Sequence, residues 1–341
     1  MIDIAVIGAG RIGQIHAANL HQHSAANLRC IIDVSDAAAT QLADRCATDI
    51  GSVDDMLADS SIQAVVIASS TDTHAELVSA CAQAGKAIFC EKPLDLNVDT
   101  AKQCLTVVED MNVLMCLGFN RRHDPSFERV KTEIESGTVG DVEVVSITSR
   151  DPSPPPADYV TRSGGLFRDM MIHDFDMGRW LLGEEPLEIF ATGSVLVDEA
   201  IGKAGDIDTA VATMKTASGR LCLITNSRRC SYGYDQRIEV FGSRGMARAA
   251  NQRETLVETA GQSGYSREPA LPFFLERYAD AYRIQLDKFL RAAGGEEISL
   301  PSAHDGLRAL EIADAANRSH AEGIPIQLQS PLQAASGHGS V

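Results

Sequence analysis

Short apolar runs alternate with amphipathic stretches through the first 120 or so residues. Ile2–Ile7 reads as a strand. A helix over 12–23 follows, with Ile12, Ile15, Ala18 and Leu20 available for a core face, and then a second strand over 28–32. Further apolar runs at 64–68, 87–90 and 113–117 are separated by helical patterns at 74–84 and 97–110. Continuous apolar strands between helices mark a parallel sheet covered on both faces. This half is expected to be α/β, a doubly wound Rossmann-type domain over residues 1–120.

Beyond residue 120 the period changes. A helix over 124–136 leads into the alternating strand "DVEVVSITSR" and the Pro-rich loop "DPSPPPADY". The stretch "GGLFRDMMIHDFDMGRW" reads as one helix opened by its glycines and stopped by Gly183, with Leu166, Met170, Met177 and Leu181 on its buried side. Strands are predicted near 187–198, 208–216, 220–228, 236–242 and 246–258, with Ala217-Ser218-Gly219 as a tight hairpin. Two late helices, near 272–293 and 303–321, end in "GG" and "EG". Hairpin-linked strands imply an antiparallel sheet, so residues 121–330 are expected to form an α+β domain. The small, polar tail over 331–341 is expected to be disordered.

Composition narrows the partners. A net charge of −17 on 341 residues argues against nucleic acid or an anionic membrane as a partner. The eight cysteines lie scattered in apolar runs without a C-x-x-C pair, which predicts buried, reduced thiols of a cytoplasmic protein. No apolar run approaches the roughly 20 residues of a membrane span, and "MIDIAVIG" passes straight into a strand with no signal peptide ahead of it.

The first candidate chemistry is "VIGAGRIG", which places Gly8, Gly10 and Gly13 as G-x-G-x-x-G after a strand and at the head of a helix. Such glycines permit a tight turn and close approach of a pyrophosphate to the helix N-terminus. Asp33 stands 20 positions after Gly13 at the end of the second strand, where a carboxylate would grip the ribose hydroxyls of NAD and repel the 2′-phosphate of NADP. The second is "IFCEKPLDLN", which puts Glu91, Lys92 and Pro93 at the carboxyl end of a parallel strand, the ligand-binding end of such sheets. The third is Asp169 and His173, spaced i and i+4. A metal site, an acid–base pair and a polar seam all remain possible from that spacing.

Together "VIGAGRIG", "EKPL", "GFNRRHD" and the segment bearing Asp169 and His173 resemble the Gfo/Idh/MocA family of sugar and polyol oxidoreductases. The likeness runs from the first strand to "LRALEIADAANRSHAEGIPIQL", and "RDPSPPPADYVTRSGGLFRDMMIHDFDMGRWLLGEEP" is similar to the inositol 2-dehydrogenases of that family. The resemblance implies a C-terminal domain with a large, mostly antiparallel sheet whose open face makes homodimers or tetramers. It implies oxidation of an inositol or pyranose hydroxyl with NAD as cofactor. Lys92, Asp169 and His173 fall on the family's catalytic positions. Gly8, Gly10, Arg11, Ile12, Gly13, Asp33, Ser69, Ser70, Thr71, His74, Glu91, Lys92 and Asn120 fall on cofactor positions. Lys92, Arg121, Asp151, Asp169, His173 and Tyr234 fall on substrate positions. The chain departs from some inositol dehydrogenases at Ser149, where they carry histidine, and at Met170, where others carry threonine.

Two other readings compete. Asp169, His173 and Asp176 could ligate a metal, but cysteines and an H-E-x-x-H motif are missing nearby, so no metal is expected. A non-catalytic sugar or dinucleotide sensor could use the same fold, although it would have no chemical need to keep Lys92, Asp169 and His173 together. The remaining conspicuous residues take bland assignments. His16, His21 and His23 are read as surface or packing residues, Arg228 and Arg229 as a solvated or interfacial strand, Asp174 and Asp176 as structural or surface carboxylates, and Trp180 as a core anchor.

Overall fold

The structure is a computed structural model that describes residues 1–329; the tail expected to be disordered lies outside the described residues. The chain divides into two compact units, Met1–His123 with Asp280–Leu310, and Asp124–Ala279 with the segment from Glu311 onward.

The first unit holds a six-stranded parallel sheet. Its strands are β1 (Ile2–Ile7), β2 (Ala26–Ile32), β3 (Asp49–Ile50), β4 (Ala64–Ile67), β5 (Ala87–Cys90) and β6 (Met115–Leu117), in the order β3-β2-β1-β4-β5-β6. This is the doubly wound dinucleotide-binding order, whose carboxyl strand ends form the ligand-binding edge. Helices α1 (Arg11–Gln22), α2 (Asp36–Cys46), α3 (Val53–Ala58), α4 (His74–Gln83) and α5 (Val98–Asp110) connect the strands. The segment 36–58, which carried no prediction, supplies α2, β3 and α3. Serines start both helices, the Ser35 and Ser52 hydroxyls accepting from the Ala38 and Asp55 amides.

One feature of this unit departs from a simple division of the chain at residue 120. The chain returns to the first unit with Asp280–Leu310. Leu286, Phe289 and Leu290 join Val66, Phe89 and Cys116 in its buried apolar cluster, and the Phe289 ring meets Phe89 edge-on at 5.7 Å. Burying each such side chain stabilises by about 1.5–3 kcal/mol, so the return is a packing requirement.

The second unit begins with α6 (Pro125–Glu135) and β7 (Val142–Arg150), followed by the short helices α7 (Ala157–Ser163) and α8 (Gly165–Asp169) and then α9 (Ile172–Leu182). Next come β8 (Pro186–Ser194), α10 (Glu199–Lys203), β9 (Thr209–Thr216), β10 (Leu221–Ser227), β11 (Asp235–Gly242) and β12 (Gly245–Ala249). A small hairpin, β13 (Glu258–Gly261) with β14 (Gly264–Arg267), precedes α11 (Phe274–Arg277), α12 (Ala279–Ala293), α13 (Ala303–Glu322) and β15 (Ile326–Gln327). The sheet order is β12-β11-β7-β10-β9-β8-β15, antiparallel except for the β7–β10 pair. The strand expected over 246–258 stops at Ala249, and the helix expected over 272–293 is divided at Tyr278.

The stretch from Gly164 to Trp180 is not one helix. Met170 and Met171 both donate to the Leu166 carbonyl, an i→i−5 step at Met171, and the ladder restarts from the Met171 carbonyl to Asp174 and Phe175. Asp169 therefore closes α8, while His173 lies in the first turn of α9. The widened turn changes their relative direction from that of an uninterrupted i, i+4 pair. Leu166, Met170, Met177 and Leu181 are all buried. No described helix is long and apolar enough to cross a membrane.

Candidate active site

In the first unit the main chain makes the site. Gly8 leaves β1 with φ of 106°, and a Cβ there would lie 2.4 Å from the Ala68 carbonyl oxygen. A Cβ on Gly13 would lie 1.9 Å from the Gly8 carbonyl oxygen, so both positions are closed to side chains. Gly10 is different: a Cβ there would meet nothing within 4 Å. It stands as the N-cap of α1, where the first amides of the helix are available to a phosphate. Asp33 fixes the rim, one carboxylate oxygen accepting from the Ala9 amide at 2.6 Å and the other from the Ser35 amide at 2.8 Å. The arrangement suits a dinucleotide, with a backbone cradle for the pyrophosphate and a carboxylate beside it.

The loops next to this cradle are tied together by polar side chains. The Ser69 and Thr73 hydroxyls bond at 2.7 Å in the turn that holds Ser70 and Thr71. The His74 ring lies buried between the Pro93 carbonyl, 2.8 Å from Nδ1, and the Ser69 carbonyl, 3.2 Å from Nε2. His74 thus braces the two strand-end loops. Glu91 is similarly enclosed, with the His16 Nε2 at 2.7 Å. A Cβ on Gly118 would come 2.7 Å from its carboxylate. His16, read as surface or packing, is in fact fully buried on the helix that opens at the glycine-rich turn. Lys92 follows Glu91, and the Lys92–Pro93 bond is cis. Asn120 and Arg121 are buried in the turn Asn120–His123 after β6. Burial, with Lys288 and Arg122 nearby, pushes His123 down to about 3, so this ring is neutral at ordinary pH.

In the second unit side chains make the site. The parallel register sets Ser227 of β10 opposite Arg150 of β7, so Arg228 and Asp151 leave adjacent strand ends together. Arg228 Nη1 donates to Asp151 at 3.2 Å and Nη2 to Asp169 at 3.0 Å, with only 5% of the arginine side chain exposed. The Tyr159 hydroxyl donates to the other Asp169 oxygen at 3.0 Å. Burial opposes the charge on Arg228, but Asp169 and Asp151 outweigh it and hold the guanidinium above its ordinary value. His173 is half-buried one step further along the chain. Tyr234 is buried beside β11, its ring edge-on to Phe273 and Tyr278 at 6.2 and 6.0 Å. Arg228 was missed as a site residue: its sequence neighbourhood suggests a solvated strand, and only the β7–β10 register discloses its partners.

Asp174 and Asp176 are structural but not at the surface. Asp174 is fully buried, accepting from the Ser149 hydroxyl at 2.6 Å and from Asn226 Nδ2 at 2.9 Å. This anchors α9 to β7 and β10 and gives Ser149 a role in the core. Asp176 is buried 3.8 Å from Arg179. Trp180 is half-buried beneath the Lys131 ammonium, which lies 5.7 Å from the ring centroid, so it is less than a core anchor. All eight cysteines are free and buried. Among the described residues no group of three or more His, Cys, Asp or Glu side chains could hold a metal ion.

Residues 2–119 match the oxidoreductase family with an NAD-binding Rossmann fold, and residues 127–248 match the Gfo/Idh/MocA C-terminal domain. The chain belongs to the Gfo/Idh/MocA oxidoreductase family. Members of the family similar to it include the inositol 2-dehydrogenase of Rhizobium meliloti, 50% identical over 94% of this chain and 97% of that protein. The myo-inositol 2-dehydrogenase of Thermotoga maritima is 47% identical over 96% of this chain and 99% of that protein. Among solved structures, the scyllo-inositol dehydrogenase from Lactobacillus casei, with bound NAD(H) and scyllo-inositol, superposes with a TM-score of 0.89. It is 29% identical and the match covers 96% of this chain and 99% of that one. The family's Rossmann domain and NAD cofactor agree with the cradle built by Gly8, Gly10, Gly13 and Asp33.

Proposed function

We propose that the chain is an NAD-dependent inositol 2-dehydrogenase that oxidises myo-inositol to 2-keto-myo-inositol (scyllo-inosose). The observation that carries this reading is the 50% identity to the Rhizobium meliloti inositol 2-dehydrogenase along nearly the whole of both chains. NAD supplies the hydride acceptor when bound at the glycine-rich turn. His173 takes the proton of the reacting hydroxyl, a task suited to an imidazole with an ordinary pKa of about 6.5. Asp169 stabilises the imidazolium that results, as a carboxylate does in a triad. Lys92 donates a hydrogen bond to the same oxygen and stabilises its developing negative charge. Arg121, Asp151 and Tyr234 contact the remaining hydroxyls of the ring. Arg11, Ile12, Ser69, Ser70, Thr71, His74, Glu91 and Asn120 complete the cofactor contacts, and Asp33 favours NAD over NADP.

Initial rates of NAD reduction across myo-, scyllo- and D-chiro-inositol and a set of aldoses including glucose test the substrate. The highest kcat/KM is expected with myo-inositol. A higher value with scyllo-inositol would move the assignment to that isomer, a second reading favoured by the likeness to the Lactobacillus casei enzyme. No reduction of NAD with any of them would favour a sensor.

The protein is also proposed to be a cytoplasmic homo-oligomer, a dimer or tetramer. Its eight free, buried thiols suit a reducing compartment. Phe190, Val211, Leu221, Leu223, Phe241 and Met246 are exposed on the strands β8 to β12, and those on β8 to β11 are flanked along their strands by buried residues. A second copy covering this sheet face would remove the apolar area from water. Light scattering should give a multiple of the chain mass, and Leu223→Arg should lower it.

A further inference from the structure

Asp169 is held from two sides by groups that the family's catalytic set does not include. Tyr159, on α7, donates to one oxygen, and Arg228, just past β10, donates to the other. The same guanidinium reaches Asp151, just past β7, through its second terminal nitrogen. The backbone of Arg228 is fixed as well, its amide donating to the Asp208 carbonyl at 2.8 Å. Neighbouring charges are turned to other partners. Arg150 meets Tyr232 and Asp235, Arg229 reaches the Leu196 carbonyl, and Arg168 pairs with Asp314. Asp206 accepts from the Leu166 amide at the head of α8, and His173 follows in the first turn of α9.

We propose that Arg228 is a positioning residue for the dehydrogenase reaction, clamping Asp169 and Asp151 as a fixed pair of ionised carboxylates and so setting the charge that His173 works against. The proposal rests on the assignment of Asp169 and His173 to proton transfer. A planar guanidinium can serve two carboxylates from separate nitrogens, a geometry that a lysine's point charge does not reproduce. Without the cation, two carboxylates in a largely buried setting lose the positive charge held between them. Carboxylate and imidazole alike then bind protons more readily, because a nearby positive charge has gone.

The test is the pH dependence of kcat/KM for inositol oxidation in Arg228→Met, Arg228→Lys, Asp151→Asn and the double variant Arg228→Met with Asp151→Asn. Arg228→Met should lower kcat by about tenfold or more and move the acidic limb upward by about one pH unit, the lower end of shifts caused by one adjacent charge. KM for NAD should stay within about twofold, because the glycine-rich turn is untouched. Removing the Asp151 charge as well should bring the limb part of the way back, a rescue that a merely structural role would not give. Arg228→Lys should shift the limb by less than Arg228→Met and decides the matter if the methionine variant fails to fold. A loss of rate that is equal at every pH, or a limb unmoved in both Arg228 variants, would overturn the clamp. Asp169→Asn separates the two levels: near-normal turnover in that variant would remove the catalytic assignment itself. Loss of turnover there with unmoved limbs in the Arg228 variants would remove the clamp alone.

Discussion

The glycine-rich turn and the Asp169 cluster serve one proposed reaction but are built from different materials. At the head of α1 the candidate cofactor surface is mostly the backbone of Gly8 to Gly13, with the Asp33 carboxylate at its rim. At the ends of β7 and β10 the surface is side chain, gathered from Asp151, Tyr159, Asp169 and Arg228. A backbone site is specified by the absence of side chains, so an added atom disturbs it where the protein leaves no room, as at Gly8 and Gly13. A side-chain site is specified by the presence of each member, so deleting one group exposes the charges of the others. The glycine-rich turn and the Asp169 cluster should therefore fail in different kinetic constants.

The largest expected effect lies on the side-chain half. Under the proposed roles, His173→Ala should lower kcat by a factor of about 10² or more, the usual scale for a general base. The acidic limb of the pH–rate profile should disappear with it. Near-normal turnover with an unchanged profile would hand the base role to another group, Lys92 first. Lys92→Ala should likewise cut kcat far more than NAD affinity, and the opposite pattern would make Lys92 a cofactor residue.

On the backbone half, Gly13→Ala should act on binding. Its Cβ would sit 1.9 Å from the Gly8 carbonyl oxygen, which must move and take the turn with it. Overpacking of this kind costs about 1–3 kcal/mol, equivalent to roughly a 5- to 150-fold rise in KM for NAD. Gly10→Ala makes the sharper comparison, because its Cβ meets no protein atom and any loss of affinity must come from the cofactor's own space. Equal effects at both positions would mean that the turn tolerates neither for a reason other than protein packing.

The same contrast explains what could be read from the chain. The turn, the strand before it and Asp33 form a local pattern, so their spacing in sequence is their spacing in space. The place of Lys92 just past a strand end was legible for the same reason, since the apolar run before it forms β5. Arg228 was not, because its link to Asp151 depends on the parallel register of two strands 77 residues apart. The break between α8 and α9 was hidden because "RDMMIHDF" keeps helical composition across it; the interruption is a change of hydrogen-bond step at Met171. The return of Asp280–Leu310 to the first unit was also hidden, since an amphipathic helix does not name the apolar surface it will cover.

Asp33→Ser should give a change of similar size that stays with the cofactor. The substitution removes a carboxylate that now accepts from Ala9 and Ser35 and that would repel a 2′-phosphate. Loss of one charged hydrogen bond to NAD is worth about 1.5–3 kcal/mol, so kcat/KM for NAD should fall by at least about tenfold while that for NADP falls less. An unchanged NADP/NAD ratio would remove Asp33 from the ribose site.

The smallest effect is expected at Asp208, which tests whether the side-chain half is supported by a frame as firm as the glycine turn. Its buried carboxylate accepts from the amides of Leu196, Val197 and Asp198 at 2.8, 2.8 and 3.0 Å and from the Thr209 hydroxyl at 2.9 Å. Burial alone would raise its pKa, but the three amides and the hydroxyl outweigh that and hold it below the ordinary carboxylate value. A carboxyl depressed in the folded state contributes stability that is fully present above its unfolded pKa of about 3.9 and is lost as pH falls through the folded value. Asp208→Asn should therefore lower stability by about 1–3 kcal/mol at neutral pH, the cost of weakening bonds to a buried charged acceptor. Thermal melts should show the gap between the two proteins closing below about pH 4, as the wild-type carboxyl takes up its proton. Because the Asp208 carbonyl also receives the Arg228 amide, kcat should fall modestly in the same variant with KM for NAD unchanged. A gap in stability that persists undiminished at low pH would show that shape, not charge, holds this loop.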